Sequence, residues 1–235
     1  MGKTIAIVAC MHGNERYGLS FLRRGGLNVP VFIGNPKALK KNKRYIEKDL
    51  NRVFPGREDG CYEERRAVKL LGKLKSFDIV IDLHSSSNTV PLFGIITRPT
   101  QEKINLARMM GLKKLVIMPN EMSKGMALID NVDCGISLEV GPHKRKNNFK
   151  EVLDLILNLR KEVYNESMEI YEVFDVLLEN KEDELLIENF KKVRKGQRIL
   201  GRRDVFSKID FIPVLVGEEA YENVLCLMAR RIKKI

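Results

Sequence analysis

The sequence predicts an α/β fold: a domain of alternating strands and helices with a small β-rich unit appended at its C-terminal end. Two observations carry this. Apolar strand-like runs alternate with helical periodicities up to about residue 164. Beyond Asn165 the pattern changes to β-branched and aromatic runs with glycine turns. The order of the first part is that of a sheet flanked by helices. The expected units are therefore 1–164 and 165–235.

Thr4–Cys10 reads as the first buried strand, and Tyr17–Arg24 as a short helix stopped by Gly25-Gly26. Val29–Ile33 is a second strand, closed by the turn chemistry of Gly34-Asn35-Pro36. Residues 37–55 are polar and irregular and read as a long loop with some helical turn; long loops in compact domains are often functional. Tyr62–Leu74 places Ala67, Leu70, Leu71 and Leu74 at helical spacing. Phe77–Leu83, Pro91–Thr97, Lys114–Met118 and Gly135–Val140 read as strands, and Glu102–Met110 and Phe149–Tyr164 as helices. Met168–Leu178 and Phe211–Ala229 are strand-rich.

Composition narrows the class. The chain has 235 residues, enough to bury a full core, and 44% of them are hydrophobic. Its apolar runs fall well short of the roughly 20 residues that span a bilayer. The N-terminal stretch lacks signal-peptide anatomy, so a cytoplasmic protein without membrane contact is expected. The four cysteines are scattered with no C-x-x-C pair, which argues against a disulfide framework and an all-cysteine zinc site. Net charge is +11, with basic clusters at Lys37–Arg44, Lys144–Lys146, Lys191–Arg203 and Arg230–Lys234. No stacking-aromatic motif is interleaved with them, which disfavours a nucleic-acid-binding protein. A Lys- and Glu-rich solvated surface of the kind used against heat is one alternative, and the presence of only two glutamines fits it. A positive field that attracts small anions is the other, and the remaining residues favour it.

Three strands end in residues able to do chemistry. The first delivers His12 and Glu15, the Phe77–Leu83 strand delivers His84, and the Gly135–Val140 strand delivers Glu139. In open α/β sheets such residues converge at the carboxyl ends of the strands. His12, Glu15 and His84 form a His₂Glu set, the donor set of a catalytic zinc with three protein ligands and one open position. Other divalent ions also suit it. Glu139 is then placed to take a proton from an attacking water. A salt bridge to a loop arginine is the alternative for this carboxylate, which would be costly if left unpaired in an apolar strand. The loop adds Arg44, suited to stabilising an oxyanion, and Asn51 with Arg52, suited to gripping a carboxylate. It also adds Asp49, suited to orienting a ligating histidine. A solvated basic loop is the alternative there.

His12-Gly13-Asn14-Glu15, Asp49-Leu50-Asn51-Arg52, Asp82-Leu83-His84 and Glu139-Val140-Gly141-Pro142 together resemble the aspartoacylase/succinylglutamate desuccinylase family, a branch of the zinc carboxypeptidase-like hydrolases. The segments around Asn35-Pro36-Lys37, Arg44-Tyr45-Ile46, Tyr62-Glu63 and Pro213–Val216 with Glu218 and Tyr221 extend the resemblance over most of the chain. It implies a mixed central sheet flanked by helices with a small C-terminal β domain. It implies one Zn²⁺ per chain on His12, Glu15 and His84, and Glu139 as general base and acid. Arg44 would polarise the scissile carbonyl, Asn51 and Arg52 would hold the α-carboxylate, and Tyr221 would close the site. The implied activity is deacylation of a small anionic N-acyl amino acid. A carboxypeptidase-like peptidase using the same centre is the alternative, and an exposed β tail leaves a homo-oligomer open. Aspartoacylase carries a Tyr and an Arg shortly before its Glu-Val-Gly-Pro. Residues 125–133 contain neither, and Lys124 is the nearest cation, so N-acetylaspartate specificity does not follow.

Overall fold

The computed structural model describes residues 3–20, 29–143, 149–159, 164–179, 183–220 and 223–232. These residues build a nine-stranded mixed sheet: β1 (Ile5–Ala9), β2 (Val31–Ile33), β3 (Ile79–Ser86), β4 (Phe93–Thr97), β5 (Lys114–Met118), β6 (Gly135–Pro142), β7 (Glu169–Leu178), β8 (Ile212–Val214) and β9 (Val224–Ile232). The spatial order is β2-β1-β3-β6-β4-β5-β7-β9-β8. β2, β1, β3 and β6 run parallel, β4 opposes β6, and β4, β5 and β7 are again parallel to one another. The polarity of the sheet therefore reverses between β6 and β4, and again between β7 and β9 and between β9 and β8. The late strands add to the same sheet, since β7 pairs with β5 and β9 with β7.

The helices are α1 (Pro36–Lys41), α2 (Tyr62–Leu74), α3 (Gln101–Met110), α4 (Asn120–Ser123) and α5 (Phe149–Asn158). Strand alternation sorts the side chains to two faces. Ala6, Val8 and Val80 pack against Ala67, Leu70 and Leu74 of α2. Ile7, Ile79, Ile81 and Leu83 face the side covered by Ile104, Ala107 and Met110 of α3 and Val152 and Ile156 of α5. The result is a helix–sheet–helix sandwich around β1, β3 and β6. α3 is bounded by a Thr100 side chain that accepts from Lys103 N and by Gly111 at φ 83°, a left-handed cap that favours glycine.

Residues 37–55 carry helical turns at both ends, the helix α1 and the 3-10 turn Leu50–Arg52, around an irregular middle. Asn35 caps α1 by accepting from Ala38 N, with Pro36 in the first turn and Asn42 left-handed at the end. The Gly-Asn-Pro cluster that reads as a turn is thus also a helix start. The remainder of the segment is held by Glu63 of α2, whose side chain is fully buried. Its carboxylate accepts from Asn35 Nδ2 at 3.0 Å and from the backbone N–H groups of Ile46, Glu47 and Lys48 at 2.8, 3.1 and 3.3 Å. Residues 21–24 of the expected Tyr17–Arg24 helix, residues 160–163 of the expected Phe149–Tyr164 helix, and the Lys144–Lys146 cluster lie outside the described residues; Arg16–Gly18 forms a 3-10 turn.

Two substitutions probe how this frame holds the loop. A Cβ on Gly13 would sit 2.1 Å from the Ala38 carbonyl carbon, so Gly13→Ala should cost about 1–3 kcal/mol in denaturant unfolding. Glu63→Ala strips an acceptor from four N–H groups and should cost about 3 kcal/mol in the same measurement, with Glu63→Gln losing distinctly less.

Candidate active site

The parallel register of β1, β3 and β6 brings the chemistry together. His84 pairs with Glu139 across β3 and β6, and Asp82 with Ser137, so all four side chains share the α2 face of the sheet. β1 ends at Ala9, and the turn after it turns His12 and Glu15 back onto the end of β3. Gly13 N donates to Arg44 O, tying that turn to the loop.

Glu15 lies between two imidazoles. Its Oε1 is 2.5 Å from His12 Nδ1 and its Oε2 is 3.1 Å from His84 Nδ1. One donor atom from each of His12, Glu15 and His84 falls within 4.8 Å of the others, and all three residues are buried. Each histidine turns its other nitrogen to a second carboxylate. His12 Nε2 is 3.0 Å from Asp49 Oδ1, and His84 Nε2 is 2.7 Å from Asp82 Oδ2. This is the arrangement in which an outer carboxylate orients a metal-ligating imidazole. The donor set therefore fits a divalent ion: nitrogen, oxygen and nitrogen converge on one point, each imidazole backed by an acid.

The electrostatics follow from this crowding. Burial alone would raise the Glu15 pKa, but the neighbouring His12 and His84 hold it well below the usual carboxylate range. Burial would lower both histidines, yet Glu15 with Asp49, and Asp82 with Glu15, raise them above their ordinary values. Asp49 is held low against its own burial by His12 and Arg44. Glu139 differs: burial pushes it up to about 7, with His84 opposing and Glu15 and Glu218 adding to the rise.

Arg44 reaches the cluster through Asp49, donating from Nε and Nη2 to Oδ2 at 3.1 and 2.9 Å, while Nη1 lies 3.5 Å from Glu15 Oε1. The loop arginine thus pairs with Asp49 and Glu15. Asn51 Oδ1 accepts from Leu128 N at 2.8 Å, and Arg52 Nη1 donates to the Asn51 carbonyl at 2.8 Å. Asp49 also accepts from Asn51 N, capping the 3-10 turn Leu50–Arg52. His12, Glu15, His84, Glu139, Arg44, Asn51 and Arg52 all line one cavity of about 410 Å³, within the roughly 300–1,000 Å³ of small-molecule pockets. Tyr221 lies outside the described residues.

The cavity departs from a site confined to strand ends. It extends from the metal-type cluster across the sheet face, over Ser137 of β6, Ile95 and Thr97 of β4 and Met118 of β5. Sequence reasoning missed Asp82 as the partner of His84, although two residues apart on a strand means one face. It also missed the clasp at Glu218, which accepts from Ser87 N and Ser87 Oγ, both at 2.9 Å.

Comparisons with known proteins agree with this geometry. The catalytic-domain model of the succinylglutamate desuccinylase/aspartoacylase family matches residues 1–163. A probable aspartoacylase of Acaryochloris marina is 31% identical over 163 residues, 60% of this chain and 55% of that protein. Mouse aspartoacylase is 40% identical over 111 residues, 37% of this chain and 36% of that one. The matches thus span about half or less of these relatives. The crystal structure of murine aminoacylase 3 superposes with a TM-score of 0.79 at 19% identity, covering 98% of this chain and 95% of that one, which shows a shared fold. With its first 163 of 235 residues matching the catalytic-domain model, the chain belongs to the succinylglutamate desuccinylase/aspartoacylase family.

Proposed function

We propose that the chain is a zinc-dependent amidohydrolase, a deacylase that cleaves a small N-acyl amino acid to a carboxylate and an amine. The observation that carries this is the convergence of His12, Glu15 and His84 in a cavity that Glu139 and Arg44 also line. One zinc per chain would be held by those three side chains. When bound it would supply Lewis acidity toward the scissile carbonyl and toward water. Asp49 and Asp82 would keep the two imidazoles oriented.

The chain's own residues would carry the rest. Glu139 would accept the proton of the attacking water at its carboxylate and return it to the leaving amine. A pKa raised by burial to about 7 suits both halves of that transfer near neutrality. Arg44, with Nη1 beside Glu15, would stabilise charge developing on the carbonyl oxygen. Arg52, with the Asn51 amide, would take the substrate's α-carboxylate, and Tyr221 would add a contact from the C-terminal side. The same reading divides the chain into a hydrolase unit, 1–164, and a small β-rich unit, 165–235; the span of the family match supports that division. Val176, Leu215 and Leu227 from the late segment wall the cavity, which supports a small substrate over a peptide and so disfavours the peptidase alternative. Among the described residues no helix is long and apolar enough to cross a membrane.

Metal analysis and a screen of N-acyl amino acids test the reading. Glu139→Gln should keep its zinc and lose at least about 100-fold in turnover, the scale of a lost general base. Unchanged turnover would refute the role of Glu139, and zinc retained in His84→Ala would refute the ligand set.

The metal-free chain offers a separate check. Because the folded-state pKa of Glu139 lies above the carboxylate value of 4.5, its favourable contribution is complete below about 4.5 and is lost as pH rises through about 7. Metal-free Glu139→Gln should therefore match wild type in stability near pH 4.5 and exceed it by about 3 kcal/mol at pH 8. Urea unfolding across that range reads the difference.

A further inference from the structure

Outside the metal-type cluster and the 49–52 loop, the cavity changes chemistry. Its wall is built by Met118 of β5, Met122 of α4, Ile129, Val176 of β7, Leu215 and Leu227 of β9. Leu215 and Leu227 belong to a core cluster against which Met118, Met122 and Val176 pack, so this wall is an opening in the hydrophobic core. Besides the cluster, that loop, Arg44 and Glu139, the other charged groups lining the cavity are Glu121, Lys124 and Glu218. Glu121 and Lys124 are exposed, and the carboxylate of Glu218 accepts hydrogen bonds from Ser87 and Ala220 N. Among the described residues, two acids and one lysine give this outer part no excess of positive charge with which to receive a second substrate carboxylate.

We infer that the group seated in this wall is apolar: the substrate is an N-acyl amino acid bearing a single carboxylate and a hydrocarbon or aromatic group, on the side chain or on the acyl part. This rests on the deacylase reading and adds the substrate class to it. A dicarboxylic side chain would lose water against methionine and leucine side chains, and among the described residues only the exposed Lys124, offset by Glu121 and Glu218, lines this part of the cavity as a cation. An apolar group gains about fourfold per buried methylene. The two methionines are flexible enough to accept groups of differing shape.

Two substrate series on the zinc-loaded protein separate side chain from acyl group. One varies the amino acid of N-acetyl substrates (Asp, Glu, Leu, Met, Phe). The other varies the acyl group on glycine from acetyl to hexanoyl. The inference expects kcat/KM for at least one apolar series to exceed that for N-acetylaspartate and N-succinylglutamate by tenfold or more. Met122→Lys and, independently, Val176→Lys should reduce that ratio at least tenfold. Calorimetry on the metal-free protein should show L-phenylalanine or hexanoate binding more tightly than L-aspartate or succinate. Turnover with a tenfold preference for the dicarboxylic substrates would overturn the inference and leave the deacylase reading intact. No turnover of any substrate, with apolar ligands still bound more tightly, would refute the deacylase reading and uphold the apolar wall.

Discussion

A single buried carboxylate organises the site. Glu15 touches the inner nitrogen of His12 and of His84, and each imidazole touches a further acid with its outer nitrogen. Along the row Asp49–His12–Glu15–His84–Asp82 each imidazole stands between two carboxylates, so every buried acid in it has a nitrogen partner. Neither imidazole can turn without losing two partners. The geometry on which the site relies is thus held by electrostatics inside a sheet built for hydrophobic packing.

The sheet and the loop supply this row from opposite sides. β3 contributes Asp82 and His84, two residues on one face of one strand. The loop contributes Asp49 and Arg44; Leu50 and Phe54 anchor its end in the core against α2, while residues 40–49 bury no side chain. Over that stretch Glu63 supplies hydrogen bonds instead, fixing three successive backbone N–H groups from a helix that also packs on the sheet. The position of Asp49 against His12 is therefore transmitted from α2 through Glu63 and the loop backbone.

Much of this was legible in the sequence, for reasons that also mark the limits. β5 and α2 coincide with the expected segments because short apolar runs and a clean helical period each have one reading. His12, Glu15, His84 and Glu139 were visible as polar residues at or near the ends of apolar strands, and register does bring them together. α1 was obscured because Gly-Asn-Pro serves equally as a turn and as a helix start. Glu63 reads as one more surface acid on an amphipathic helix, since nothing local announces that a distant backbone will turn toward it. The late strands were recognisable as strands, but their addition to β5 depends on partners that no local pattern specifies. The sideways extension of the cavity likewise depends on the reversal between β6 and β4, a property of topology.

That topology also bears on when the site comes into being. Ile5 pairs with Ile79 and Val80 with Gly135, so the strands that meet around His84 are brought together from remote parts of the chain. Such pairings are reached late and slowly, because long loops must close before any contact rewards them. A nascent chain that has only reached α1 carries His12 and Glu15 but neither His84 nor the face on which they converge. An ion captured by the full trio is therefore bound by the assembled central sheet, and its affinity is added to the stability of that whole assembly at once. Loading of such an ion and completion of the fold would in this sense be one event, because a partly made chain lacks the full trio.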